Sequence, residues 1–217
     1  MRLNVLKQLN KPCLGILQKY HVKLSELCLK NIITEDYFSE EYNISMESYY
    51  LLSIMSRVCK NDFLKNMIDY ISNTDKSPNE SIKYSGLYVF RAIINTIHKE
   101  ELYPVVKDSL GMVSQILYEA NYPHHFKKMS AFILKSMTKN FGKEFVSDRI
   151  FFDKMIQLFL GLFNNSTKEV LYILLYALNN LCKVVIWDEG DQTNVLSRHM
   201  QSLCDNIIPI CSNTSLF

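Results

Sequence analysis

Between Glu35 and Leu52 the chain reads EDYFSEEYNISMESYYLL, which sets Glu35, Asp36, Glu40, Glu41 and Glu47 among Tyr37, Phe38, Tyr42, Tyr49 and Tyr50 with no lysine or arginine between them. Clustered carboxylates can act as general acid and base or hold a cation, but both roles need further groups beside them. Here the carboxylates neighbour one another and aromatic rings, so the chemistry that remains is attraction. Carboxylates draw Lys and Arg over about a Debye length of ~8–10 Å, and an aromatic face holds a cation at ~0.5–2 kcal/mol. The plainer alternative is a solvated linker whose charge keeps the chain in solution.

Other reactive side chains are scattered. His124 and His125 follow Pro123 in a turn, but adjacent imidazoles rarely converge on one ion, and no cysteine or carboxylate follows them at i+3 to i+5, so no metal is expected. Six cysteines (Cys13, Cys28, Cys59, Cys182, Cys204, Cys211) lack C-x-x-C spacing and most fall where helices would bury a small apolar group, which reads as reduced thiols. Trp187, followed by Asp188, Glu189, Gly190 and Asp191, makes a second acidic loop with an aromatic, suited to a cation or to plugging a seam between repeats. There is no G-x-S-x-G, P-loop or H-E-x-x-H pattern, so neither an enzyme nor a cofactor is expected. Asn43, Asn79, Asn164 and Asn165 begin N-x-S/T triplets, which in an Asn-rich chain are expected to arise by chance.

The 217 residues, 48% hydrophobic, can bury a substantial core. With 24 Lys and Arg against 22 Asp and Glu, the net charge of +2 argues against a nucleic-acid partner. The N-terminus MRLNVLKQLNKP has no apolar signal region, and the longest apolar run, Val170 to Leu178, is far short of the roughly 20 residues of a membrane helix. No membrane insertion is expected, and a cytosolic or nuclear setting is. Six glycines and five prolines are too few to punctuate an all-β chain.

Apolar residues recur at helical spacing in two alternating kinds of segment. One kind is carried by Leu64, Met67, Ile68 and Ile71, then by Leu102, Val106, Leu110, Val113 and Leu117, then by Phe151, Met155, Leu158 and Leu162. In the other, the equivalent positions Leu52, Phe90, Ile133 and Leu178 stand 38, 43 and 45 residues apart, close to the roughly 40–47 of HEAT or armadillo repeats. Asp62 and Asp148 suit N-caps, Ser166-Thr167-Lys168-Glu169 reads as a capping box, Pro104 suits a first helical turn, and Gly142 marks a helix end after Lys139. The predicted fold is all-α, an α-α superhelix of HEAT/armadillo type with about four helix pairs plus flanking helices. It forms one array over 1–217: an irregular repeat 1–59 with an acidic loop 34–43, repeats 61–98, 101–141 and 149–185, and an incomplete repeat 198–217. Each pair has an apolar stripe too broad to bury alone, which makes stacking compulsory. A start inside a repeat and a last helix, Arg198 to Cys211, without a mate lead to the expectation of a piece of a longer solenoid.

These residues also resemble a family. EEYNISMESYYLLSIMSRVCKNDFLKNMIDYI, Glu40 to Ile71, looks like the acidic-loop repeat of the importin-β (karyopherin-β) nuclear import receptors, with Tyr42-Asn43 at that family's Trp-Asn. GLYVFRAIINTIHKEELYPVVKDSLGMVSQIL, Gly86 to Leu117, resembles the next repeat; LYALNNLCKVV, Leu175 to Val185, resembles a later inner helix with Tyr176 where Trp is usual. The likeness runs in order from about Glu35 to Cys211. It departs at Ala131, often Trp in the family, and at Glu80-Ser81-Ile82-Lys83, which stands in place of a Trp-Arg-x-Arg opening.

The resemblance implies a receptor that binds basic import signals, or the basic helix of an importin-α-like adaptor, on concave inner helices and releases them when Ran-GTP binds. Its outer helices would meet phenylalanine-glycine nucleoporins, and it would move between cytoplasm and nucleus through the nuclear pore. On this chain partner binding would fall on Glu35, Asp36, Glu40, Glu41 and Tyr42, and on Tyr176, Asn179 and Asn180. The residues alone leave Tyr176 open between core packing and exposure, and Asn179 and Asn180 open to bonding a neighbouring carbonyl. A non-transport HEAT scaffold for protein–protein assembly is the alternative function.

Overall fold

The computed structural model describes residues 11–34, 43–59, 61–96, 98–187 and 196–212. Among them lie nine α-helices and no strand: α1 (Lys11–Thr34), α2 (Ile44–Val58), α3 (Asn61–Asp75), α4 (Glu80–Ile93), α5 (Lys99–Tyr118), α6 (His124–Ser147), α7 (Arg149–Phe163), α8 (Lys168–Trp187) and α9 (Ser197–Ser212). The predicted all-α HEAT-type architecture is the one observed.

Caps explain several helix starts. Asn43 Oδ1 accepts from Met46 N at 2.9 Å, Asn79 Oδ1 from Ser81 N at 2.9 Å, and Asp148 Oδ1 from Phe151 N at 3.1 Å, each satisfying an otherwise orphaned donor. Two of these asparagines head N-x-S/T triplets, and capping accounts for them. Asp62 is not a cap: α3 already begins at Asn61, and Asp62 stands in its first turn, where a carboxylate favours the positive end of the helix. Pro104 lies in the second turn of α5, deeper than expected, so its missing N–H removes a bond to the Glu100 carbonyl.

Gly142 does not end a helix. Phe141 takes non-helical angles (φ −119°, ψ 16°), and α6 bends there and continues to Ser147, burying Phe145 and Val146. A Cβ on Gly142 would stand 2.9 Å from Val184 Cγ2, so this glycine permits close approach of α6 to α8.

The chain divides into two compact units, Met1–Val105 and Val106–Phe217, with the boundary inside α5. In the first, α1 pairs with α2 and α3 with α4, while α2 stacks on α4. In the second, α6 stacks on α8 and α7 on α9, and α7 also packs against α6 and α8. Helices two apart in chain order thus stack on each other, as alternating kinds of helix require.

Side-chain hydrogen bonds repeat the same period. Thr96 Oγ1 donates to Ser56 O at 2.7 Å, 40 residues away, and Arg57 Nε to Asn95 O at 3.3 Å, 38 residues away. In the second unit Lys107 Nζ meets Asp148 Oδ2 at 2.6 Å, Tyr118 Oη donates to Leu158 O at 3.3 Å, and His199 Nε2 lies 2.7 Å from Asp153 Oδ1, spanning 41, 40 and 46 residues. Each joins neighbouring repeats. The cores beneath are apolar: Phe90, Phe145, Phe152 and Phe159 are fully buried, each stabilising by ~1.5–3 kcal/mol. Cys28, Cys59, Cys182 and Cys204 are free thiols. No helix of the described residues is long and apolar enough to cross a membrane.

Candidate functional site

Glu35, Asp36, Glu40, Glu41 and Tyr42 lie outside the described residues, which resume at Asn43, the N-cap of α2. The helix that follows shares an aromatic cluster with α4. Tyr49 packs edge-on against Tyr50 and Tyr88, with ring centroids 5.3 and 5.2 Å away, and Tyr88 lies 6.3 Å from Tyr84. The Arg91 guanidinium sits 5.2 Å from the Tyr49 ring centroid. Burial pushes the Tyr84 phenol up to about 12 despite the pull of Arg91, and burial likewise raises Tyr88. Neutral phenols present aromatic faces to a cation, so this cluster is a platform that already holds one guanidinium. Tyr49 and Tyr50 were visible in the acidic stretch; Tyr84 and Tyr88 were missed, although their spacing of four places them on one face of α4.

The other candidates all lie on α8, in the second unit. Tyr176 is exposed, and its ring is covered by Lys135 of α6, with Nζ 3.9 Å from the centroid. Asn179 is exposed. Asn180 is half-buried, and its Nδ2 donates to Lys135 O at 3.3 Å and Thr138 Oγ1 at 3.5 Å across the α6–α8 seam. One turn before Tyr176 stands Tyr172, 67% exposed, which sequence reasoning overlooked. Its signal was the spacing of four from Tyr176.

His124 Nε2 lies 3.4 Å from Glu169 Oε2, which also meets Lys128 Nζ at 2.9 Å; the hydrogen bonds from Lys128 and then His124 hold the Glu169 carboxyl below its ordinary range. The carboxylate reaches His124 from 45 residues away, beyond any local motif. Among the described residues no three His, Cys, Asp or Glu side chains converge to hold a metal ion. The Trp187 side chain and Asp188, Glu189, Gly190 and Asp191 lie outside the described set.

Two grooves mark the second unit. One of about 560 Å³ lies between α5 and α7, lined by Leu110, Gly111, Tyr118, Phe151 and Leu158 among others. A second, about 630 Å³, has Phe132, Leu171, Leu175 and Ile210 in its lining, with Lys128, Lys135, Lys168 and the Glu169 carboxylate.

No family model matches the sequence, and no curated protein matches it. Solved structures do. Yeast importin-β (Kap95p) is similar over 98% of this chain and 24% of its own, at 13% identity and a TM-score of 0.78. Importin-β crystallised in ammonium sulfate matches over 88% of this chain and 22% of its own, at 16% identity and a TM-score of 0.70. Kap95p in complex with RanGDP, whose switch loops its binding drives to the GTP-bound conformation, matches over 91% and 23%, at 13% identity and 0.76. The fold is an importin-β-like HEAT-repeat fold. This chain spans about a quarter of the length of these receptors.

Proposed function

We propose that the chain is a segment of a nuclear transport receptor that acts by binding, without covalent chemistry. Its first unit would take a basic import signal, or the basic helix of an importin-α-like adaptor, at Glu35, Asp36, Glu40, Glu41 and Tyr42 and on the adjoining tyrosines. The observation that carries this reading is Arg91 on the Tyr49 ring, in a tyrosine cluster shared by α4 and by α2, the helix that follows the acidic stretch. Carboxylates attract the guest and aromatic faces hold its cations. In the second unit, Tyr176 and Asn179 would be open to a guest's cation only once Lys135 leaves the ring. Ran-GTP would compete with the guest, and the α5–α7 groove offers apolar lining for phenylalanine-glycine nucleoporins. Such a protein works in cytoplasm and nucleus and at the nuclear pore.

One observation favours the alternative, a non-transport HEAT scaffold: on α8, Lys135 and the α6 carbonyls already engage Tyr176 and Asn180. A titration of the 217-residue chain with a labelled Lys/Arg-rich import-signal peptide separates the two. The receptor reading expects binding that weakens with salt, falls about tenfold (~1.4 kcal/mol) in a Glu40→Gln, Glu41→Gln variant, and is displaced by Ran-GTP. Unchanged affinity in the variant removes the loop from the mechanism, and indifference to Ran-GTP supports the scaffold.

A further inference from the structure

We propose that the α6–α8 face of the second unit is a docking site of opposite polarity, for an acidic peptide segment of a partner protein that carries a large apolar side chain between its carboxylates.

The charge is local. Although the whole chain is nearly neutral, α6 and α8 together carry seven lysines against two glutamates. One of those glutamates, Glu169, is engaged by Lys128 and His124. Lys135 and Lys168 have no carboxylate partner among the described residues, and both line the 630 Å³ groove. Glu169 lines the same groove, but Lys128 and His124 already engage it, which leaves Lys135 and Lys168 at the rim positioned for an anion from outside.

The recess itself selects a side chain. Leu171 is buried, and Phe132 and Leu175 are half-buried and line the groove. Tyr172, 67% exposed, stands at the edge, and Tyr176 extends the aromatic rim by one turn. Exposed tyrosine around an apolar pocket, rimmed by charge, is the composition of a binding hot spot and not of a solvated face. Lys135 is held over Tyr176 before any guest arrives, so part of the ordering cost is already met. A single-stranded nucleic acid fits less well: it needs a basic track along its backbone, and the sequence pI of about 8.1 is below that of typical binders.

The site does not depend on the transport reading, and its test is separable from it. A fluorescein-labelled peptide with Glu and Asp flanking a central Phe-x-x-Leu is titrated into the 217-residue chain and followed by anisotropy, beside a charge-reversed Lys/Arg peptide and a labelled oligothymidylate. Saturable, salt-sensitive binding of the acidic peptide is expected. It should weaken about tenfold in Lys135→Glu, in Lys168→Glu and in Phe132→Ala, and by less than twofold in the control Lys143→Glu, an exposed lysine of α6 outside the groove. The milder Lys135→Gln and Lys168→Gln keep the comparison open if a reversal lowers helicity by circular dichroism. Glu40→Gln with Glu41→Gln should leave acidic-peptide binding unchanged. Absence of binding, equal affinity for the charge-reversed peptide, or variants that all bind like the parent would overturn the proposal. So would tighter binding of the oligonucleotide, or self-association of the chain abolished by Lys135→Glu, which would assign the groove to nucleic acid or to a second copy.

Discussion

At Asp148 one carboxylate performs two tasks. It accepts the Phe151 N–H that opens α7 and receives the Lys107 ammonium from α5 at 2.6 Å. The Lys107 hydrogen bond first, then that from Phe151, hold its carboxyl below the usual carboxylate range. Asp148→Ala loses both and is expected to cost ~1 kcal/mol, about 2–4 °C in Tm at this size. Asp148→Asn keeps a capping oxygen and loses only the ion pair, a smaller loss because both partners are about a third exposed. A depressed folded pKa contributes stability above the unfolded value of about 4 and loses it as pH falls through the folded value. Thermal melts should therefore show the wild-type margin over Asp148→Asn fully open at neutral pH and closing below about pH 4. A margin that widens on acidification would contradict the assignment.

Between helices, glycine decides how closely two axes approach, and the same substitution takes opposite signs at two positions. A Cβ on Gly86 of α4 would lie 2.1 Å from Thr74 Oγ1 and 3.0 Å from Thr74 Cβ, on a buried residue whose hydroxyl donates to Ile71 O. Rotating the hydroxyl away leaves the Cβ contact. Gly86→Ala is therefore expected to destabilise by ~1–3 kcal/mol from overpacking, outweighing the gain of up to ~1 kcal/mol that alanine brings to a helix. Adding Thr74→Ala removes the hydroxyl clash and should recover that part of the loss only, because the Cβ contact at 3.0 Å remains. Gly111 of α5 has nothing within 4 Å of the same added atom, so Gly111→Ala should stabilise by up to ~1 kcal/mol. Urea unfolding of the three variants measures all of this, and equal effects at both glycines would defeat the packing argument.

Over the whole molecule, thiols report which parts stay closed. Cys28 is buried, and burial pushes its thiol up to about 11 against the pull of a Ser48 hydrogen bond; burial also raises Cys59 and Cys182. In a Cys13→Ser, Cys211→Ser background the native chain should label first at half-exposed Cys204, while Cys28 and Cys59 react only in denaturant. Rapid labelling of Cys28 without denaturant would mean that the α1–α2 pair opens readily. The all-helical class and the repeat period were legible in the residues, because amphipathic spacing of 3.6 and a step near 40 residues are local properties that survive any packing angle. So was the cap at Asp148, whose reach is three residues, whereas the cap at Asn43 was not read from the residues and Asp62, read as a cap, stands inside α3. Gly142 was misread as a stop because a close contact with Val184 leaves no local mark. Determined by the sequence alone, then, are the kinds of helix, their order and the chemistry each displays. Only the tertiary structure decided which side chains meet: Lys135 over Tyr176, Glu169 with Lys128 and His124, Arg91 on a tyrosine cluster drawn from two helices. Most of those partners stand some 40 residues apart, where the stacking of one repeat on the next, and no spacing within a helix, sets what lies within a few ångströms.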